Sequence, residues 1–190
     1  KSSALSVPLR ASNADAAALY RVVESYFDQY LALNPIRASE LGDHRFDDRF
    51  GDYVSMSWMA DSLGIEQESL EKLAAIDPKR LAGEDLVTYA AFKRQRELGI
   101  GGYRYPSELL AINSCANWPG VFAQLGSGKG AHPFRTTRDY DNFLARMDGF
   151  VVWVDQTINN LRAGVTKGVV LPQDVVERTL PQLEAFGRLE

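Results

Sequence analysis

Thr136-Thr-Arg-Asp-Tyr-Asp-Asn-Phe-Leu-Ala-Arg-Met-Asp-Gly-Phe-Val-Val-Trp-Val-Asp-Gln-Thr-Ile-Asn-Asn-Leu-Arg-Ala-Gly164 is the stretch on which the fold class turns. Phe143, Met147, Phe150, Val151, Val154, Ile158 and Leu161 fall on three- and four-residue steps, which is the period of a helix with one apolar face. Thr136 and Asp139 have the spacing of a capping box, so the helix should begin there. Gly149 is placed to bend it, and Gly164 is a natural stop.

The same period runs outward in both directions. Ala16, Leu19, Tyr20, Val23, Phe27, Tyr30 and Leu31 share one face of a long first helix. Asn34-Pro35 ends it, because proline disfavours helical backbone in the residue before it. Pro35 suits the first turn of a short helix over Ile36 to Leu41, stopped by Gly42. The aperiodic segment 43–54 reads as a loop. Ser55 or Ser57 can cap a third helix running to about Ile76, with Leu63, Leu70 and Leu73 inward, Gly64 in its middle and Asp77-Pro78 as its break. A fourth helix covers Glu84 to Leu98, with Gly99-Ile-Gly-Gly-Tyr103 as a breaker. Ser107 to Ile112 is at most a short helix, and Pro119 to Leu125 fits another. Pro172 opens a last helix with Val175, Val176, Leu180 and Leu183 on one side, which Pro181 should kink. No repeat and no strand pair is visible. The expected fold class is all-α, an irregular multi-helix bundle, with a flexible segment 1–14 ahead of a helical domain 15–190.

Composition narrows the function. Hydrophobic residues make up 45 % of the 190 and charged residues 24 %, which excludes intrinsic disorder. The net charge of −4 argues against a nucleic-acid surface. Cys115 stands alone, so no intramolecular disulfide and no multi-cysteine zinc site is available, and a buried, inert thiol is expected. No apolar run reaches the ~18 residues of a transmembrane segment. Lys1 to Ser12 lacks the apolar core of a signal peptide. It reads either as a frayed terminus or as the tether left after a secretion signal is removed.

Local motifs carry little chemistry. Gly126-Ser-Gly-Lys-Gly130 resembles a phosphate loop, but Ala123 stands where the first glycine belongs and Gly130 where Ser or Thr should follow the lysine, so a flexible connection over 126–135 is expected. Asp47-Asp48-Arg49-Phe50-Gly51-Asp52 does not follow the ligand order of a calcium loop, and Asp–Arg pairing within it is expected instead. His44 and His132 are isolated and at non-ligand spacing. The stretch Leu109-Leu-Ala-Ile-Asn-Ser-Cys-Ala-Asn-Trp-Pro-Gly120 is unusual for a connector. Its Asn113 and Trp118 are candidates for lining a substrate cleft, since amides and an indole fix ligands by hydrogen bonds and stacking, although packing is the commoner role of a buried aromatic.

Several stretches together resemble a known family: Tyr26-Phe-Asp-Gln-Tyr-Leu-Ala-Leu-Asn-Pro35, Ala38-Ser-Glu-Leu-Gly-Asp-His-Arg-Phe-Asp-Asp48, Leu109-Leu-Ala-Ile-Asn113, Tyr140-Asp-Asn-Phe-Leu-Ala-Arg-Met147, and Leu161-Arg-Ala-Gly-Val-Thr-Lys-Gly168 with Pro172. In order and spacing, from about residue 17 to about 188, they resemble the bacterial proteins of domain of unknown function 885. That resemblance implies a longer helical protein similar to zinc carboxypeptidases, with its His-Glu and Pro-Gly-His-His metal motif in the C-terminal half and a secreted, periplasmic or lipid-anchored location. None of those metal motifs occurs in this sequence. The resemblance therefore implies an N-terminal, non-catalytic part whose partners are the C-terminal half of its own chain and, through it, a peptide substrate. Zinc is implied for the longer protein, where it would activate water with a glutamate as base, and no cofactor for this chain. The apolar faces from Phe143 to Leu161 and from Val175 to Leu183, with Phe186 and Leu189 beyond, are long for a bundle of this size. They would cover absent residues or drive self-association. A self-sufficient helical binding module without enzymatic activity is the rival reading.

Overall fold

The computed structural model describes residues 13–114 and 117–187. Cys115, Leu189 and residues 1–12 of the expected flexible segment lie outside the described residues. Asn13 and Ala14, also assigned to that segment, instead start the first helix. The described residues form seven α-helices and no strand: α1 (Ala14–Leu33), α2 (Pro35–Glu40), α3 (Met56–Ala74), α4 (Gly83–Gly102), α5 (Trp118–Gly126), α6 (Thr137–Lys167) and α7 (Gln173–Gly187). The fold is all-α. Its residues gather into two compact units, one made of the residues up to Asn34 with Met56–Tyr105, the other of Pro35–Ser55 with the residues from Pro106 onward.

The first unit is the bundle of α1, α3 and α4. Asn13 caps α1 by accepting the Ala16 N–H at 2.9 Å, and its amide donates to the Arg80 carbonyl at 2.8 Å, which pins the start of α1 to the turn after α3. Ala16, Leu19, Tyr26, Ile65, Leu73, Ile76, Leu81 and Phe92 form the buried core. Phe27, expected inward, is exposed, and Tyr26 takes the inward position. The reason is polar: the Tyr26 hydroxyl donates to Glu66 at 2.9 Å while the Arg96 guanidinium lies 3.6 Å from the centre of its ring. The face of α3 that is buried is correspondingly Ser62, Ile65, Glu66, Ser69 and Leu73, with Leu63 and Leu70 only half-buried.

α4 does not stop at Leu98 but runs through Gly99 and Gly101 to Gly102. Each glycine costs about 1 kcal/mol in helix propensity, and packing overrides it. A Cβ at Gly99 would sit 3.0 Å from the Glu66 carboxyl carbon, so the bare backbone makes room for that side chain. Beyond the last turn, the Tyr103 hydroxyl bonds Ser62 at 2.6 Å and fastens the helix end to α3.

The second unit holds α2, α5, α6 and α7. The capping box at Thr136 and Asp139 forms as expected. Asp139 accepts the Arg135 and Thr136 N–H groups, both at 2.8 Å, and these bonds hold its carboxyl below the usual range. α6 does not end at Gly164. That residue is interior and buried, since a Cβ there would lie 2.6 Å from the Val169 carbonyl oxygen. The stop is Gly168, whose φ of 70° places it in the left-handed region that glycine adopts without strain. Gly149 gives close approach: a Cβ would meet the Phe50 Cβ at 3.0 Å. α7 continues through Pro181.

The inward face of α6 also differs from its apolar pattern. Arg146, Trp153, Thr157 and Gly164 are buried, whereas Met147, Val151 and Ile158 are exposed. At ~100° per residue, Arg146, Trp153, Thr157 and Gly164 lie on one line along the helix, and two of them are polar.

Glu66 generates a measurable consequence. Its Oε2 lies 2.9 Å from the Arg96 Nε, but neither atom makes an aligned hydrogen bond. Burial therefore pushes the carboxyl up to about 7. A raised carboxyl favours the folded state when protonated, and that advantage is lost as pH rises from about 4.5 to about 7. Between pH 5 and 8 the stability of Glu66→Gln should improve relative to the parent by about 1–2 kcal/mol. This is below the full ~1.4 kcal/mol per unit, because the Arg96 guanidinium 2.9 Å away favours the charged carboxylate. Denaturant titrations of both proteins at several pH values check it, and a constant difference between them contradicts it.

Candidate functional site

The segment joining α2 to α3 is fastened to α6 by Asn160, which donates to the Val54 carbonyl at 2.9 Å, and above all by Arg146. Arg146 is fully buried. Its Nε donates to the Arg49 carbonyl at 2.8 Å, and its Nη2 to the Ser39 hydroxyl at 2.9 Å and the Phe46 carbonyl at 3.1 Å, with Asp47 Oδ1 at 3.5 Å. Ser39 also bonds Asp47. Burial disfavours the charge of Arg146 and the Asp47 carboxylate opposes that effect. Guanidinium stays protonated under such conditions, and its planar fork matches several acceptors at once.

Both histidines join this network. His132, also buried, turns Nε2 toward the Asp139 carbonyl at 2.9 Å and Nδ1 toward Arg146 Nη1 at 3.1 Å. A carbonyl only accepts, so Nε2 carries the proton and Nδ1 accepts from Arg146. Neither ring nitrogen is left for a metal. His44 Nδ1 is 2.8 Å from the second Asp47 oxygen, with its side chain about half exposed. Among the described residues no three His, Cys, Asp or Glu side chains converge into a possible metal group.

The expectation of Asp–Arg pairing inside the acidic loop holds for some of its members. Asp43 pairs with Arg45 at 2.7 Å, and that bond holds its carboxyl below the usual range. Asp48 lies 3.9 Å from Arg49. Asp47 and Asp52 are the exceptions: the arginine of Asp47 lies 99 residues away on α6, and Asp52 accepts the Ser55 N–H at 2.8 Å. The glycine-rich connection folds into a local turn in which Ser127 Oγ donates to the Gln124 carbonyl at 2.7 Å and accepts from the Lys129 N–H at 3.2 Å.

Beside the arginine lies an aromatic cluster. Phe50, adjacent to Arg49, is buried among Trp118, Phe122, Phe150 and Trp153, with ring centres 5.2–5.9 Å away. Trp118 is half-buried and stacks on Tyr53 at 4.2 Å. Tyr53 has φ of 58°, which a non-glycine residue adopts at a cost of about 1–3 kcal/mol. Its ring lies over Gly51, where a Cβ would come within 2.5 Å of it. Gly51 and the stack on Trp118 together hold Tyr53 in this conformation.

Asn113 is half-buried in the stretch after the 3₁₀ turn Ser107–Leu110. Its neighbour Ile112 and Trp118 both pack against the second unit's core cluster. Asn117 caps α5 by accepting the Gly120 N–H at 2.7 Å and donates to Gln182 of α7 at 2.8 Å; Gln182 in turn donates to the Ser114 carbonyl at 3.1 Å. Ile112 also lines an open groove of about 280 Å³ with Leu109, Leu161, Val165, Val176 and Leu183. Its lining is almost wholly aliphatic, and the Thr179 hydroxyl within it is bonded to the Val175 carbonyl at 2.7 Å. The groove offers shape and apolar surface and no catalytic group.

The family model described as bacterial protein of unknown function (DUF885) matches residues 35–189. No curated protein and no solved structure matches the chain.

Removing one partner of a buried ion pair strands the other. Arg146→Met should therefore cost about 3–5 kcal/mol in chemical denaturation. Arg146→Lys should also be destabilising, because an ammonium cannot reproduce the fork. The double variant with Asp47→Leu should lose clearly less than the sum of its singles. Strict additivity would show that Asp47 and Arg146 are not coupled.

Proposed function

The chain belongs to the DUF885 family, and we propose that it is the N-terminal helical, non-catalytic portion of a zinc-dependent, carboxypeptidase-like peptidase whose metal motif lies outside these residues. The match across residues 35–189, which takes in the whole of α2 to α7, carries this reading together with the sequence resemblance on which the peptidase assignment rests. The location that goes with it is secreted or periplasmic, lipid-anchored or free. No helix among the described residues is long and apolar enough to cross a membrane.

In this reading the second unit supplies a wall of the substrate cleft. The Arg146–Asp47 network holds the loop that carries Phe50 and Tyr53, and the half-buried Trp118 and Asn113 present an indole and an amide to an extended peptide. The described side chains do not fit zinc: His132 has both nitrogens engaged, and His44 is joined only by Asp47. No catalytic step is assigned to them.

Two measurements test the proposal. In the longer protein, Asn113→Ala and Trp118→Phe, the latter chosen to keep the stack on Tyr53, should raise KM or lower kcat for a peptide substrate by about tenfold with little change in Tm. Unchanged kinetics in both would remove these residues from the cleft. The 190-residue chain should hold no stoichiometric zinc after dialysis against a weak chelator. Retained zinc that disappears in His44→Ala would place the metal site here and overturn the non-catalytic assignment.

A further inference from the structure

α6 carries a second apolar stripe, separate from the line of Arg146, Trp153 and Thr157 that faces its own core. Leu144, Val151, Ile158 and Val165 recur every seven residues. Met147, Val154 and Leu161 follow three positions after the first three of them. Leu144, Met147, Val151, Ile158 and Val165 are 41–69 % exposed, and Val154 and Leu161 are half-buried along the stripe's inner edge. Apolar residues alternating at three and four over three heptads are the seam of a coiled coil, with the β-branched Val151, Ile158 and Val165 following Leu144 in the first position. At ~1.5 Å per residue the seam from Leu144 to Val165 is about 32 Å long. Such a seam fits an amphipathic helix laid along it, and the charges beside it select which one.

The residue after each second-position apolar side chain is Asp148, then Asp155, then Arg162. We infer that the seam pairs with the same seam of a second copy of this chain, the two α6 helices running antiparallel about a two-fold axis close to Asp155. In that register Val151 faces the second copy's Leu161, Ile158 faces its Val154, and Met147 faces its Val165, so these layers are apolar, while Leu144 falls beside Gly168 of the second copy at the end of the seam. The flanking charges then fall opposite one another. Asp148 meets Arg162 of the second copy, and symmetry repeats the pair at the other end. Only Asp155 meets its own equivalent, at the axis. A parallel pairing would set the same charges against positions 143, 150, 157 and 164, which are Phe, Phe, Thr and Gly, and would give them no partner. Flanking charges are what fix orientation in such pairs. The two aspartates also disfavour an anionic lipid surface as the occupant. The inference does not depend on the peptidase reading.

Sedimentation equilibrium of the 190-residue chain over a wide concentration series should show a monomer–dimer equilibrium. Val151→Lys changes an exposed side chain, so circular dichroism and Tm should stay unchanged while the dimer Kd rises at least about tenfold. Asp148→Arg and Arg162→Asp should each weaken the dimer several-fold, and the double swap should restore it. Asp155→Asn should tighten it by relieving the repulsion at the axis. A chain that is monomeric at every concentration overturns the inference, as does a dimer indifferent to Val151→Lys. A double swap no tighter than its singles overturns the antiparallel register and the inference with it.

Discussion

The second unit depends on one buried guanidinium. Arg146 takes up two backbone carbonyls, a hydroxyl, an imidazole and a carboxylate, and these belong to three different segments of chain. A buried ion pair is weak evidence of stability in itself, because desolvating both charges offsets most of their attraction. What Arg146 contributes is position. The carbonyls of Phe46 and Arg49 in the loop between α2 and α3 would lose these partners if α6 carried an aliphatic residue here. Phe50 follows directly, and with it the aromatic cluster that seats Tyr53 and Trp118.

The first unit shows what happens when a similar pair is less well served. Glu66 and Arg96 are almost as buried as Asp47 and Arg146, yet their closest atoms are badly aligned, and an Arg96 Nη1 also lacks a partner. The ring of Tyr26 substitutes for part of the missing bonding by offering its face to the guanidinium, an interaction of about 0.5–2 kcal/mol. Chemically similar pairs therefore behave differently: one is saturated with fixed donors and acceptors, the other is left responsive to protons.

The helical architecture was readable in the sequence because proline, glycine and capping residues punctuate strongly periodic segments. The boundaries that moved did so for packing reasons. Gly99 and Gly164 look like breakers by propensity, but each is small because something lies against it, Glu66 in one case and the Val169 carbonyl in the other. The inward faces were harder to read. An apolar pattern on α6 marks Met147, Val151 and Ile158 as core, whereas a charged residue occupies the true centre. A signal was present: Arg146 lies on the same helical line as Trp153 and between Phe143 and Phe150, a poor place for a solvated cation. Tyr53 gave no comparable sign, since only a folded loop reveals a tyrosine forced to positive φ over a glycine. Asn113 and Trp118 were singled out by an odd composition; Trp118 joins the aromatic cluster by stacking on Tyr53, and Asn113 is half-buried.

The wide sequence separation within the Arg146 network has a bearing on how the chain is made. Asp47 and Arg146 are 99 residues apart, and the whole of α3 and α4 is synthesised between them. At about 5–20 residues per second a ribosome needs roughly 5–20 s to cover that distance. For that interval the nascent loop carries a carboxylate, two carbonyls and Phe50 with nothing to receive them, while α1, α3 and α4 are already complete enough to pack. The first unit is thus positioned to form early. The second must wait for α6, and then close a long loop before any of its bonds is gained, a topology that slows folding. The arginine that fixes the loop arrives only with α6, just ahead of Phe150 and Trp153, which close the aromatic cluster over Phe50.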